Sequence, residues 1–164
     1  MITTFLTNQV LSVKHLQDII SSLTFLNSDL GDEIENFNLN EPTTIKAIEN
    51  ELGYKVKIKD NSGCIRKPYP FVHFESFDTI DEWVICAPIQ PTTFITHKHL
   101  ETEATYVFHM QDVSLHIADY ADKAKWIETS RILVESGQLL FFRPWIWHSF
   151  DGGLNNMIST ERAE

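Results

Sequence analysis

The sequence predicts a mainly β protein, a sandwich or barrel, with a helical N-terminal portion. Three observations predict it. Apolar residues before Gly53 recur at helical spacing, and from Tyr54 the apolar period shortens to two. Beyond Phe71 the chain breaks into short aromatic or β-branched runs separated by turn residues. At 164 residues the chain is long enough for one domain with a real core, and an aromatic content of 12% excludes wholesale disorder.

Each element follows from its residues. Leu16, Ile19, Ile20 and Leu23 form one apolar helical stripe, which Leu26 extends. Asn27 to Asn40 carries Asp29, Asp32, Glu33 and Glu35 without a basic residue and reads as an acidic, solvated connector. A second helix starts near Pro42, because proline suits the first helical position, where its missing N–H has no intrahelical partner. Ile45, Ile48 and Leu52 then share a face, and Gly53 stands where a left-handed cap is needed. Tyr54, Val56 and Ile58 alternate with Lys55, Lys57 and Lys59, which describes a half-exposed strand whose lysines guard an edge. Asp60-Asn61-Ser62-Gly63 is a turn. Strands are then expected at Phe71–Phe77, Trp83–Pro88, Thr92–His99, Thr105–Met110, Val113–Asp119, Arg131–Val134, Gln138–Phe142, Trp147–Phe150 and Met157–Thr160. The composition changes near Pro68–Pro70, dividing the chain into residues 1–67, helical with an edge strand, and residues 68–164, a β-barrel on which the first part packs.

Charge narrows the function classes. Thirteen basic residues against 23 acidic ones give a formal charge of −10, which repels phosphate backbones and anionic membranes, so neither nucleic acid nor membrane is an expected partner. No run approaches the eighteen apolar residues of a membrane span, and no secretory pattern opens the chain, so a cytoplasmic location is expected. Cys64 and Cys86 cannot build a disulfide framework or a cysteine-based zinc site. Phosphate-cradling glycine patterns and the G-x-S-x-G nucleophile elbow are absent from the sequence.

The chemistry-bearing signal is histidine. His97, His99, His109 and His116 fall close together. In a strand His97 and His99 point to one face, so both imidazoles reach one point. Glu103 follows four residues after His99 and returns across a short turn, and His148 lies on a distant strand. His97, His99, Glu103 and His148 make a three-nitrogen, one-oxygen set suited to one divalent transition metal: Fe2+ first, with Mn2+, Ni2+, Cu2+ and Zn2+ also feasible. Glu101 rivals Glu103 as the carboxylate. His15, His73, His109 and His116 are given structural roles.

The segments His97-x-His99-x3-Glu103 and Gly137-x6-Pro144-x3-His148 resemble the two motifs of the cupin superfamily, G-x5-H-x-H-x3,4-E-x6-G and G-x5-P-x-G-x2-H-x3-N. The resemblance spans roughly Pro68 to Thr160. It lacks both flanking glycines of the first motif and the last glycine of the second. It implies a double-stranded β-helix, the cupin or jelly-roll barrel, with the metal inside near one end. It implies a metal-dependent enzyme, foremost an iron oxygenase of the dioxygenase type acting on a small organic substrate. Arg143 and Tyr106 would orient that substrate. Phe94, Phe108, Phe141, Trp145 and Phe150 are further candidates for the barrel mouth. One alternative is a cupin that binds metal or a small ligand without turnover, with the helical portion as a surface for a homodimer. Another is a 2-oxoglutarate and Fe(II)-dependent oxygenase, which uses His-x-Asp/Glu with a distal histidine and a later arginine. His99 in place of a carboxylate, and Arg162 as the only later arginine, argue against that second alternative.

Overall fold

A computed structural model describes residues 2–21, 25–28, 31–34, 42–59, 64–66, 72–99 and 126–163. Among these residues, eleven strands and two helices follow in the order β1 (Thr4–Leu6), α1 (Val13–Ser21), β2 (Phe25–Ser28), β3 (Gly31–Ile34), α2 (Pro42–Leu52), β4 (Val56–Ile58), β5 (Cys64–Arg66), β6 (Trp83–Gln90), β7 (Thr92–His99), β8 (Trp126–Val134), β9 (Leu140–Phe142), β10 (His148–Asp151) and β11 (Leu154–Arg162). One sheet of eight strands runs β1-β9-β6-β11-β5-β3-β2, with β4 also paired to β11. A second sheet runs β10-β7-β8. The pairings are antiparallel. The protein is mainly β and has the jelly-roll architecture expected of it.

Two apolar layers hold these sheets. Alternate residues of a strand face opposite ways, so β6 and β9 each feed both layers. Val84, Cys86, Leu140, Phe142 and Met157 of the large sheet meet Phe94, Val134 and Phe150 of the small one. Trp83, Ile85, Phe141 and Ile158 face the other way, onto Leu11, Leu16 and Ile48 from the helical side. Among the described residues no helix is long and apolar enough to cross a membrane.

The helices keep their expected signals. Ser12 caps α1, its Oγ accepting from His15 N at 3.1 Å. Pro42 opens α2, and Gly53 closes it at φ 78°, its N–H donating to Glu49 O at 2.8 Å. Leu26 belongs to β2 and not to the helical stripe. The acidic stretch also differs from expectation, since β2 and β3 pair across Ser28↔Gly31 inside it. Backbone hydrogen bonding overrides composition there, and Glu33 stands opposite Arg66. Through Arg66 the chain contributes five strands, β1 to β5, to the larger sheet. The expected strands Thr105–Met110 and Val113–Asp119 lie outside the described residues.

Gly153 closes the tight connection from β10 to β11 at φ 82°, and a Cβ there would stand 2.5 Å from Pro91 O and 2.7 Å from Gln90 O. Gly153→Ala should therefore cost about 2–4 kcal/mol, combining left-handed strain with a backbone clash. Gly53→Ala, with φ 78° but open space around it, should cost only about 1 kcal/mol. Urea denaturation of the two variants checks the difference.

Candidate metal centre

Three side chains converge where β10 begins. His148 opens β10 and is fully buried. His73 lies beside it on an extended segment joined by a single antiparallel bridge, with His73 N to His148 O at 2.9 Å and His148 N to His73 O at 2.8 Å. Glu75, two residues on, shares the face of His73. Its N–H donates to Pro144 O at 2.8 Å, which fastens the segment to the turn before β10. Farther along, the carboxylate of buried Glu82 accepts from Asp78 N, Thr79 N and Lys59 Nζ, anchoring the loop that leads into β6.

The contacts are short. His73 Nε2 lies 3.1 Å and His148 Nε2 3.5 Å from Glu75 Oε1. One donor atom from each residue fits within 4.8 Å of the others, so His73, Glu75 and His148 can share one cation. His148 Nδ1 is 2.7 Å from Ile146 O. A carbonyl oxygen only accepts, so Nδ1 carries the proton and Nε2 presents its lone pair. That Nε2 is buried without a hydrogen-bond partner. Such an orphaned lone pair, aimed at a carboxylate oxygen, fits a divalent metal, and the Ile146 carbonyl is the kind of outer partner that orients ligating histidines.

The surroundings set the charges. Phe142, Phe94 and Phe150 ring the His148 imidazole at centroid distances of 4.6, 5.4 and 5.6 Å. Burial pushes the His148 pKa down, and neighbouring His73 adds to this, against the upward pull of Glu75. Burial opposes ionisation of Glu75, but the neighbouring imidazoles of His148 and His73 outweigh it and hold its carboxyl well below the usual range. The centre thus pairs an anionic carboxylate with a neutral imidazole.

A pH dependence of folding follows. His148 has its folded pKa depressed below 6.5, so the unfolded chain binds more protons just under that value. Its contribution is complete above about pH 6.5 and is lost as pH falls toward the folded value. Glu75, also depressed, adds a second loss below about pH 4.5. Urea midpoints of the EDTA-treated protein should therefore hold from pH 7.5 to about pH 6.5 and fall from there to pH 4, and a flat profile below pH 6.5 would contradict the burial of a neutral His148.

Of the residues expected to bind metal, His148 lies in this group and His97 lies away from it. His97 Nε2 lies 3.0 Å from Ser149 Oγ, and Ser149 faces away from its neighbour His148. His97 is therefore on the outer face of the small sheet, and the two imidazoles do not converge. His99 ends β7, opposite Trp126. Glu101, Glu103, Tyr106, Phe108, His109 and His116 lie outside the described residues. Arg143 lies 3.5 Å from the Trp83 ring centroid and donates to Glu82 O at 3.0 Å, so it packs in the layer on the helical side of the sheet. Phe141 belongs to that layer too, whereas Phe94 and Phe150 are packed in the core between the two sheets. Trp145 packs edge-on against Phe77. Arg162 lies over Tyr54 at 4.6 Å.

His73, expected to have a structural role, stands with Glu75 and His148 in the group that could hold a metal ion. The signal for it was present. His73-x-Glu75 sits in a segment expected to be extended, where alternate residues share a face, and it puts a carboxylate two residues after a histidine.

No family model and no curated protein matches the sequence. The fold is similar to that of HygX. That protein comes from Streptomyces hygroscopicus, and its structure with nickel and 2-oxoglutarate bound superposes with a TM-score of 0.61 at 8% identity, covering 98% of this chain and 83% of HygX. Its structure with nickel, 2-oxoglutarate and hygromycin B bound gives a TM-score of 0.55 at the same identity and coverage. The likeness to HygX is one of fold and fits the cupin-type barrel.

Proposed function

We propose that the chain is a mononuclear iron-dependent oxygenase that consumes a 2-oxo acid, with His73, Glu75 and His148 holding the metal. The observation that carries this is the convergence of two imidazoles and one carboxylate within 4.8 Å. A set of two histidines and one carboxylate with open positions is the arrangement used by non-haem iron oxygenases. The order His-x-Glu followed by a distal histidine is the pattern that the 2-oxoglutarate alternative requires. Similarity in fold to a protein solved with nickel and 2-oxoglutarate supports the same reading.

The chain's own groups have defined tasks. Ile146 O fixes the tautomer of His148, Glu75 supplies negative charge, and Phe94, Phe142 and Phe150 exclude water from one side. Iron bound there would supply the redox chemistry that couples dioxygen and decarboxylation of the 2-oxo acid to oxidation of a small substrate.

The test is anaerobic loading with Fe(II), followed by oxygen uptake and succinate release from 2-oxoglutarate. Consumption of both, lost in Glu75→Gln, is the expected result. Tight iron binding without any consumption of 2-oxoglutarate would overturn the proposal in favour of a metal-binding protein without turnover.

A further inference from the structure

We propose that Thr96, Thr129 and Ser130 form a recognition patch for a neutral, hydroxyl-rich substrate, a polyol or sugar-like molecule, beside the metal centre. This rests on the reading of His73, Glu75 and His148 given above.

The patch is created by an irregularity in the small sheet. β7 pairs regularly with β8 from Thr92↔Val134 to Thr96↔Ser130, but the next pair is His97↔Glu128. Thr129 is thus the extra residue of a β-bulge, a device that re-aims side chains and is common next to active sites. The result is that Thr129 and Ser130 both reach Thr96. Thr96 Oγ1 lies 2.7 Å from Thr129 Oγ1 and 2.5 Å from Ser130 Oγ.

Register places this cluster against the centre. Thr96 stands directly opposite His148 on β10. Paired residues of an antiparallel ladder point to the same face, with Cβ atoms about 5 Å apart. His148 faces the interior among Phe94, Phe142 and Phe150, so Thr96 faces it too. One strip therefore runs from imidazole to hydroxyls across three strands. Farther from this end, the same faces of β7 and β8 carry Phe94, Ile132 and Val134, which are packed into the core. The polar surface is confined to the end that holds the centre.

The chemistry selects the ligand class. Thr96 has one hydroxyl proton and two hydroxyl neighbours, so it accepts from at least one of them. Thr129 and Ser130 are exposed; the one that donates to Thr96 keeps a free lone pair, and where the other accepts from Thr96 it keeps its proton, so the pair can both accept and donate. That dual capacity matches alcohol groups, which do the same, whereas a carboxylate only accepts. Exposed Lys98, two residues beyond Thr96 on the same strand, adds a further donor at the rim.

The test uses sorbitol as probe and succinate as acidic control, read by saturation-transfer NMR on EDTA-treated full-length protein. Mn(II) binding is measured separately by water-proton relaxation. Sorbitol should bind, and Thr96→Val/Ser130→Ala should weaken it about tenfold while leaving Mn(II) affinity unchanged, as expected for two lost hydrogen bonds. Ser130→Ala alone, at an exposed position, should weaken it about threefold and guards against misfolding of the double variant. Equal sorbitol binding by wild type and variants, or preference for succinate over sorbitol, would overturn the patch. Sorbitol binding without any Mn(II) binding would instead remove the metal reading and leave the hydroxyl patch standing.

Discussion

Glu75→Gln and His148→Ala should each lower divalent-metal affinity by at least about 100-fold, the upper end of what losing an outer partner of a metal ligand costs. The two variants act differently. Glu75→Gln keeps the size of the side chain and removes its charge, so the fold should persist while the cation loses its anionic ligand. His148→Ala removes the orphaned Nε2 and also opens a hole among Phe94, Phe142 and Phe150. Thermal melts separate the effects. At metal concentrations 100 times its dissociation constant, wild type should gain about 2.7 kcal/mol from the ion. Glu75→Gln should lose that gain and in EDTA should melt modestly below wild type, because the stabilisation given by its carboxylate is gone. His148→Ala should melt lower in both conditions. His97→Ala should keep the gain, because His97 bonds Ser149 on the outer face. An undiminished metal-dependent shift in Glu75→Gln would eliminate the three-residue centre.

Phe142→Ala should destabilise the protein by about 3–5 kcal/mol, the usual cost of removing a buried aromatic ring. Phe142 is fully buried, with centroids 4.9 Å from Phe94 and 4.6 Å from His148. It joins the two sheets, being paired with Thr4 and Val84 in one while packing on residues of the other. Domains of this size are stable by only about 5–15 kcal/mol, so the variant should be marginal at 37 °C. Phe142→Leu retains most of the volume and should cost about 1–2 kcal/mol. Urea midpoints measure both, and a loss under 1 kcal/mol for Phe142→Ala would mean that the sheets do not share this core.

The strands β6, β7, β9, β10 and β11 were legible because each is a short apolar or β-branched run with turn residues beside it. Pro42 and Gly53 marked the ends of α2 for the same local reasons. The hairpin of β2 and β3 was hidden, since its ladder hydrogen bonds do not depend on the acidic side chains that suggested a solvated connector. His148 was singled out as a candidate ligand, whereas its neighbours His73 and Glu75 were passed over although the His-x-Glu spacing was there. The His97-x-His99 pair has a stronger spacing signal than a histidine on a segment with one bridge, and strand alternation cannot say which face turns inward. The pairing His148↔Thr96 decides that question, because it sends the next residue, His97, outward. Partner choice across 75 positions of chain, as between His73 and His148, is a property of topology.

Two of the three donors, His73 and Glu75, ride on a strap outside the regular ladders, tied to β10 by one reciprocal pair of backbone bonds and to the preceding turn by the Glu75 amide. A cation captured there would rivet the strap to the barrel wall, making metal occupancy and local rigidity one property. Emptying the centre would loosen the wall beside it.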